Sequence, residues 1–223
     1  MTPEDQNAAP SRRLSVLVPA LPGRAYTEGD SLDLSVPIVW TMDDVLAGSE
    51  CADLIRRIDS LGPTAAPITT AFGFEMRPDI RNNQRVIFDD PALAGDLFRR
   101  VRATLPSRMF GDYEPVGANE RFRCYRYQVG HRFAPHFDGA FIRDDRETSL
   151  LTFMVYLNDG YEGGTTNFYS FSKDIIATPQ RGRALLFQHH LLHEGAEVTK
   201  GVKYVLRSDV MYRTGVKAPA DIL

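Results

Sequence analysis

Residues 127–139 read Tyr-Gln-Val-Gly-His-Arg-Phe-Ala-Pro-His-Phe-Asp-Gly, and Leu-Leu-His-Glu-Gly follows much later at 191–195. His136, Asp138 and a distant histidine such as His193 together supply two imidazoles and one carboxylate. Such a set can hold one face of an octahedral metal and leave the opposite face open. Because His136 and Asp138 are two residues apart, their side chains point to the same side of an extended chain. The pattern predicts a metal site at the end of a strand.

The third ligand is open at this point, because His189, His190 and His193 all lie in the right part of the chain. His193 has the better context, since Glu194-Gly195 follows it and a strand-like run begins soon afterwards at 203. The simpler alternative for His136-x-Asp138 is a histidine and an aspartate paired at a corner between strand and loop.

The strand-like run 203–212 carries two cations on one of its faces. Alternate residues share a face of a strand, and here these are Lys203, Val205, Arg207, Asp209 and Met211. Because Lys203 and Arg207 share this face with Val205 and Met211, we expect a positively charged side chain inside a pocket. The alternatives are an ion pair with Asp209 or a solvated edge.

Composition excludes several classes of partner. Hydrophobic residues make up 43% of the 223 residues, charged residues 25%, and the formal net charge is -3, which is ordinary for a globular protein. Without a basic excess, nucleic acid is not expected as a partner. The longest apolar run, 150–157, is too short to span a membrane, and residues 1–10 do not resemble a secretory signal. Cys51 and Cys124 fit no metal-binding spacing, so we expect a reduced, cytoplasmic protein.

Other active-site motifs are missing from the sequence. A zinc-peptidase His-Glu-x-x-His is excluded because Glu197, not histidine, completes the spacing from His193. There is no Gly-x-Ser-x-Gly elbow, no P-loop and no Gly-x-Gly-x-x-Gly fingerprint.

The first part of the chain predicts supporting elements. Residues 1–36 are rich in Pro, Gly and charge, with a strand-like patch at 14–18, and we expect a partly flexible arm. Ser49 is a candidate N-cap for a helix that ends at Gly62-Pro63, and Asp90-Pro91 starts a second helix. The expected buried stripes of the two helices are Leu54, Ile55, Ile58 and Leu61, and Leu93, Leu97, Val101 and Leu105.

Strand-like runs dominate the rest, at 85–88, 121–129, 150–157, 184–187 and 203–212. Helices first and strands second predict an α+β protein with a β-sandwich or barrel. We expect one domain at 37–215, with helical support at 37–110 and a β core at about 111–213, followed by a tail at 216–223.

Five motifs in order make residues 121–213 resemble the Fe(II)- and 2-oxoglutarate-dependent dioxygenases, in their prolyl-4-hydroxylase-like branch, whereas the first 120 residues match only loosely. The motifs are Tyr127-x-x-Gly130, Pro135-His136-x-Asp138, Tyr156-Leu157-Asn158-Asp159 with Glu162-Gly163-Gly164-Thr165-Thr166, Pro179-x-x-Gly182-x-Ala184-Leu185-Leu186-Phe187, and His193-x-Gly195-x-x-Val198-x-x-Gly201-x-Lys203.

This resemblance implies a double-stranded β-helix, a jelly-roll and cupin-like barrel, with Fe(II) held by His136, Asp138 and His193. It implies that Lys203 pairs with the distal carboxylate of 2-oxoglutarate, that Tyr127 and Thr166 lend it hydrogen bonds, and that Arg207 is a second candidate for the carboxylate. The cofactors implied are Fe(II), 2-oxoglutarate and O2, with ascorbate as an additional reductant. The activity implied is hydroxylation of an unactivated C–H bond with release of succinate and CO2.

The substrate is less well defined than the metal site. Phe133 replaces a tyrosine common in prolyl hydroxylases, Thr165 replaces a glutamate, and Ser149 stands where an arginine near substrate is frequent. We expect a small molecule or a peptide, with a prolyl residue the first candidate. The expected contacts are the loop 139–146 and the polar cluster Arg81, Asn82, Asn83 and Arg85, for which a solvated turn is the alternative.

The remaining histidines and the apolar neighbours are expected to have supporting roles. His131, His189 and His190 are expected near the site or on the surface rather than on the metal. Two other classes stay open, namely a cupin-like metal protein or isomerase, and a non-catalytic binding barrel. The candidates for a dry wall around the site, or for plain core, are Leu151, Phe153, Val155, Leu185 and Phe187.

Overall fold

The computed structural model describes residues 12–70, 72–169 and 173–215, which are mostly β-sheet with two α-helices. The helices are α1 (Gly48–Ser60) and α2 (Pro91–Val101), and a short 3-10 turn follows at Arg102–Thr104. The strands are β1 (Leu14–Val18), β2 (Val39–Met42), β3 (Thr64–Ala65), β4 (Ile68–Thr70), β5 (Gly73–Glu75), β6 (Gln84–Asp89), β7 (Glu114–Ala118), β8 (Arg121–Tyr127), β9 (Phe133–His136), β10 (Glu147–Tyr156), β11 (Glu162–Gly163), β12 (Thr166–Phe168), β13 (Ile175–Ala177), β14 (Ala184–Gln188), β15 (His193–Gly195), β16 (Val198–Lys200) and β17 (Lys203–Arg213).

Two antiparallel sheets carry the structure. The larger has nine strands in the order β1-β2-β14-β10-β17-β8-β6-β3, with β7 also paired to β17, and the smaller has the order β13-β12-β15-β9. Two hairpin-like pairs, β4 with β5 and β11 with β16, lie outside both sheets. One cavity is lined by strands β8, β10, β14 and β17 of the larger sheet and by β9, β12 and β15 of the smaller.

The two faces of the larger sheet bury different neighbours. On one face Leu151, Phe153 and Val155 of β10 form a core with the helices, through Leu54 of α1 and Leu97 of α2 among others. The other face packs against the smaller sheet, where Tyr125, Phe168 and Phe187 belong to a second core. Because side chains alternate along a strand, the polar site described below is confined to the second face.

The two predicted helices are confirmed, with one different cap and an earlier end of α2, since Leu105 follows the 3-10 turn. Asp90 caps α2, since its carboxylate accepts the backbone N–H of Leu93 at 3.0 Å. In α1 the N-cap is Ala47 and not Ser49, and Glu50 accepts the Ala47 N–H at 2.7 Å. A carboxylate reaching back from the first turn therefore replaces the expected serine cap. Leu61 follows the end of α1 and is 50% exposed, so it does not belong to the buried stripe.

The expected order of helices first and strands second is wrong. The predicted strand at 14–18 is confirmed as β1, but it pairs with β2, and β2 pairs with β14 from the C-terminal half. The four residues of β2 are all buried, and so short a buried run has no alternation from which a strand can be recognised. In the part of the chain that the structure describes, no helix is both long and apolar enough to span a membrane.

Gly182 lies so close to the backbone of Leu46 that any side chain at this position is expected to destabilise the protein. It has φ +78°, and a Cβ there would lie 2.2 Å from the Leu46 carbonyl oxygen. Gly182→Ala is expected to lower the free energy of unfolding by about 3 kcal/mol, because a backbone clash adds to the left-handed strain. Gly62→Ala is the control, since Gly62 has φ +68° but nothing within 4 Å of its Cβ position. Urea denaturation that gives equal losses for both variants would contradict the clash.

Candidate metal centre and its cavity

Strand pairing brings the three residues of the opening pattern together. His193 on β15 lies directly opposite His136 on β9, and their ring centroids are 4.3 Å apart. Asp138 lies two residues beyond β9, with its carboxylate oxygens 3.8 Å from His136 Nε2 and 3.6 Å from His193 Nε2. One potential ligand atom from each residue lies within 4.8 Å of the others. The arrangement has the size and composition of a three-ligand metal site.

Both imidazoles are prepared to act as ligands through Nε2. His136 Nδ1 donates to the Ala134 carbonyl and His193 Nδ1 donates to the Leu191 carbonyl, each at 2.8 Å. Since a carbonyl can only accept, the proton of a neutral ring lies on Nδ1 and Nε2 keeps its lone pair. Burial, together with the nearby His193, lowers the pKa of His136 to about 3, and burial also lowers the pKa of His193. Both rings are therefore neutral at neutral pH.

Asp138 is held as an anion by its neighbours. Burial alone raises the pKa of its carboxyl, but the Arg207 guanidinium, 3.0 Å away, and the two imidazoles outweigh burial and lower it. Thr152 Oγ1 donates to the carboxylate at 2.6 Å. Asp138 therefore has one oxygen facing each imidazole and is also fixed from the larger sheet.

A chain of hydrogen bonds through Ser149, His189 and Thr152 leads to the Asp138 carboxylate. The backbone N–H of Phe141 donates to Ser149 Oγ at 2.8 Å, and Ser149 Oγ lies 2.7 Å from His189 Nε2. His189 Nδ1 lies 3.0 Å from Thr152 Oγ1. Because Thr152 donates its proton to Asp138, it accepts from Nδ1–H, and His189 Nε2 then accepts from Ser149. Burial lowers the pKa of His189 to about 4, so the ring is neutral and can donate from Nδ1 to orient Thr152. The next residue, His190, is exposed on the surface.

Lys203 lies at the inner end of the same cavity without an acidic partner among the described residues. It is 1% exposed, and its ammonium donates to the Gly164 carbonyl at 2.6 Å. The ammonium lies 5.0 Å from the ring centre of Tyr127, and the Tyr156 hydroxyl bonds Thr166 Oγ1 at 2.8 Å nearby. Burial lowers the pKa of Lys203 to about 7. A buried cation of this kind is stabilised when an anion enters the cavity.

Arg207 differs from Lys203 because it is already paired. Besides Asp138, its guanidinium contacts Asp209 at 3.4 Å, and Arg123 contacts the other oxygen of Asp209 at 3.1 Å. Its Nε has no hydrogen-bond partner among the described residues. The ion pair with Asp209 that the sequence left open is therefore present, next to the candidate metal ligand.

The expected apolar wall is only partly right. Phe187 lines the cavity, with its ring 4.6 Å from that of His193, and Leu185 is buried in the core between the sheets. Leu151, Phe153 and Val155 are plain core on the helix side, because the alternation of β10 turns Thr152 and Met154 toward the cavity instead. Thr152 was missed as a site residue, although a polar residue that interrupts an apolar strand was a usable signal.

The polar cluster expected near the substrate lies at the mouth of the cavity. Arg81 and Arg85 line a groove that also contains His136 and Asp138, and the loop 139–146 contributes Gly139 and Ala140 to it. Asn82 Oδ1 accepts the Arg132 N–H at 2.7 Å, which ties this segment to the start of the metal strand. The solvated-turn alternative is wrong for Arg81, which is 5% exposed.

Comparisons with known proteins agree with the resemblance that the motifs carry. Residues 122–208 match the family model described as the 2OG-Fe(II) oxygenase superfamily. A probable prolyl 4-hydroxylase 11 from Arabidopsis thaliana is 36% identical over 78 residues, which are 33% of this chain and 26% of that protein. The chain thus spans about a quarter of the length of this curated relative. The segment 122–208 is therefore similar to the 2OG-Fe(II) oxygenases and to a prolyl 4-hydroxylase, which confirms the resemblance that the motifs indicated.

Solved structures show the same fold at low sequence identity. The viral collagen prolyl hydroxylase of Paramecium Bursaria Chlorella virus-1 has a TM-score of 0.56 and 22% identity, covering 79% of this chain and 97% of that one. A Pseudomonas putida prolyl-4-hydroxylase gives 0.57 and 21%, covering 77% and 91%. A Trichoplax adhaerens prolyl hydroxylase, solved with a peptide fragment of the hypoxia inducible factor oxygen degradation domain, gives 0.58 and 18%, covering 77% and 82%.

Proposed function

We propose that the protein is an Fe(II)- and 2-oxoglutarate-dependent hydroxylase, with a prolyl residue as the first substrate to test. The observation that carries the proposal is one cavity that holds both a three-residue candidate metal set and the buried Lys203, which has no acidic partner among the described residues. A metal and a dicarboxylate need these two features side by side. The prolyl hydroxylases among the relatives support the choice of substrate.

The residues present fit the metal that the family implies. His136 and His193 offer Nε2 lone pairs from neutral rings, and Asp138 offers a charged oxygen, which is the donor set of non-haem Fe(II) oxygenases. When bound, Fe(II) with 2-oxoglutarate and O2 supplies the oxidising power, and succinate, CO2 and a hydroxylated substrate are the products. Ascorbate stays an expected additional reductant.

Lys203 is proposed as the anchor for the distal carboxylate of 2-oxoglutarate. Tyr127 and Thr166, which lie beside Lys203 in the cavity, are proposed to donate hydrogen bonds to the same group. Arg207 is the second candidate, but its pairing with Asp138 and Asp209 favours a different role. It compensates the charge of Asp138 and holds its carboxylate toward the histidines.

The remaining neighbours keep the site dry and ordered. Phe187 and Phe168 pack at 4.6 and 5.8 Å from the ring of His193, and Phe133 stacks on His136 at 3.5 Å. These rings exclude water from one side of each imidazole, which limits side reactions of a strong oxidant. The opening left between them faces the groove at the mouth, where a substrate C–H bond would be placed.

The detailed architecture is part of the same proposal. The facing sheets with the cavity between them support a double-stranded β-helix, or jelly roll. The division into an arm at 1–36, a domain at 37–215 and a tail at 216–223 stays a prediction, and residues 1–11 and 216–223 lie outside the described residues. The buried, unpaired Cys51 and Cys124 support a reducing, cytoplasmic location.

The test of the proposed function is succinate formation. Purified protein with Fe(II), 2-oxoglutarate and a panel of proline-containing peptides and amino acids is expected to form succinate in step with a hydroxylated product. A cupin-like isomerase would need no 2-oxoglutarate, and a non-catalytic barrel would form no succinate. Binding of metal without any 2-oxoglutarate turnover across the panel would therefore overturn the proposal in favour of these alternatives.

Thr152→Val is expected to weaken Fe(II) binding by about 10- to 100-fold, the usual effect of losing a partner that orients a metal ligand. The substitution keeps the shape of the side chain but removes the hydrogen bond to Asp138. Metal titration gives the affinity, and circular dichroism checks the fold. Thr148→Val is a matched control on the same strand, because the Thr148 hydroxyl donates to the Phe141 carbonyl and to no site residue in the described part of the chain. Unchanged metal affinity in Thr152→Val would remove Thr152 from the site.

A further inference from the structure

The groove at the mouth of the cavity carries more positive charge than its acids compensate. The arginines that line it are Arg81, Arg85, Arg121, Arg123 and Arg207. Arg121 pairs with Asp89 at 3.0 Å, and Arg123 and Arg207 share Asp209. Within the described residues, Arg81 and Arg85 have no acidic partner. Two guanidiniums beside the candidate metal ligands are thus left without a counter-charge.

Arg81 is buried in a way that leaves a donor unused. Its Nε donates to the amide oxygen of Asn83 at 2.8 Å, and its Nη2 is buried with no hydrogen-bond partner in the described part of the chain. The guanidinium lies over the rings of Tyr125 at 4.7 Å and Phe133 at 4.3 Å. Aromatic rings stabilise a cation only modestly, so an unpaired donor on a side chain this deeply buried indicates a missing anionic partner.

Arg85 is the more accessible member of the pair. It lies on β6, opposite Tyr125 of β8, and is half-buried. Burial lowers the pKa of its guanidinium, and the like charges of Arg81, Arg123 and Arg207 lower it further. Arg123 and Arg207 are neutralised by Asp209 and Asp138, whereas among the described residues no anion lies between Arg81 and Arg85. A ligand that brings negative charge would relieve both the repulsion and the desolvation.

The outer pair of arginines is distinct from the anion site proposed around Lys203. Lys203 lines the inner cavity, with Thr166 and Tyr127, and Arg85 and Arg81 line the outer groove, while His136 and Asp138 border both. Phe133 contacts the Arg81 guanidinium on one hand and stacks on His136 on the other. One aromatic ring therefore connects the outer cationic pair to a candidate metal ligand.

We propose that the substrate carries a carboxylate close to the carbon that is oxidised, and that Arg85, with Arg81 behind it, binds this carboxylate. The inference rests on the proposed function and names its substrate class. The planar fork of arginine binds carboxylates through two parallel hydrogen bonds. The carboxylate comes either from the main chain of a free amino acid or from an acidic side chain next to the target residue of a peptide.

The test compares acids with their neutral amides. The probes are L-proline against L-prolinamide, and Pro-Glu against Pro-Gln within one blocked peptide. Calorimetry on protein loaded with Mn(II) and 2-oxoglutarate, where no turnover occurs, is expected to give about tenfold tighter binding of the acid in one of the pairs. The pair that shows the preference identifies the source of the carboxylate. Equal or weaker binding of the acid in both pairs would overturn the proposal.

Variants assign the preference to the arginine. Arg85→Gln is expected to remove it by weakening the acid alone, and Arg85→Lys to retain part of it, because the charge remains but the fork is lost. Arg121→Gln is the matched control, since Arg121 lines the same groove but is neutralised by Asp89. A preference that survives Arg85→Gln, or that Arg121→Gln abolishes equally, would contradict the assignment. Thermal unfolding midpoints exclude a general loss of fold.

Binding to protein without metal or 2-oxoglutarate separates the carboxylate site from the proposed function. The acid and amide probes are also titrated into protein without metal or 2-oxoglutarate. Failure to bind 2-oxoglutarate would overturn the proposed function, whereas the acid preference and its dependence on Arg85 would still be measured. Conversely, succinate formation with neutral substrates only would support the function and overturn the carboxylate requirement.

Discussion

His136→Ala is expected to abolish substrate-dependent succinate formation and to weaken Fe(II) binding by more than about 100-fold, because residues that merely orient metal ligands are already worth about 10- to 100-fold. The variant removes one of three ligand atoms that lie within 4.8 Å of one another. It leaves Asp138 with Arg207 and Thr152 as partners, so the fold around the site is retained.

The measurements for this variant are metal titration and a coupled assay for succinate. His190→Ala is the control, because His190 is exposed and close in sequence to His193. It is expected to bind metal and form succinate like the unaltered protein. Decarboxylation of 2-oxoglutarate at an unchanged rate in His136→Ala would show that His136 is not a metal ligand.

Lys203→Met is expected to raise the dissociation constant of 2-oxoglutarate by at least about 30-fold, because removing one partner of a buried charge pair costs about 2 kcal/mol or more. Methionine keeps the length and packing of the side chain but offers no charge. Lys200→Met is the control, since Lys200 is 72% exposed and pairs with Glu162 on the surface. An unaltered requirement for 2-oxoglutarate in Lys203→Met would shift the anchor to Arg207.

Lys203→Met is expected to weaken 2-oxoglutarate binding without lowering the stability of the fold. This combination distinguishes a lysine that binds an anion from one that supports the structure. Burial lowers the pKa of Lys203 from 10.5 in the unfolded chain to about 7. Between these two values the unfolded chain binds a proton that the folded chain does not, so this group makes the protein more stable as pH rises and costs most below pH 7. Lys203→Met is therefore expected to be at least as stable as the unaltered protein at pH 6.5 in urea denaturation. A clear loss of stability would indicate a structural role instead.

The pH dependence of 2-oxoglutarate binding follows from the same pKa. Below pH 7 the lysine is already charged, whereas above it the incoming carboxylate must be accompanied by a proton. The affinity for 2-oxoglutarate is expected to fall as pH rises from 7 to 9, and this fall is expected to be missing in Lys203→Met.

Short-range sequence patterns were sufficient to predict which residues lie together in the candidate metal centre. His136 and Asp138 are separated by one residue, so a linear motif carries that pair, whereas Lys203 was indicated by the family resemblance, through its spacing from His193. The helix from Asp90 was predictable for the same reason, because its cap and first proline are adjacent.

What the sequence could not predict depends on contacts between distant strands. Thr152 reaches Asp138 only because β10 lies beside β17 in one particular register, and a shift by one residue would have turned Leu151 toward the site instead. The pairing of Arg207 and the unpaired state of Arg85 likewise arise from the packing of β6, β8 and β17. No local pattern encodes such three-dimensional charge balance.

A crystal structure with Mn(II) and 2-oxoglutarate would show whether one cavity holds the metal and 2-oxoglutarate side by side. We expect the metal on Nε2 of His136 and His193 and on the Asp138 carboxylate, with the distal carboxylate of 2-oxoglutarate at the Lys203 ammonium. A metal bound elsewhere, or that carboxylate bound at Arg85 with Lys203 left unpaired, would contradict this expectation.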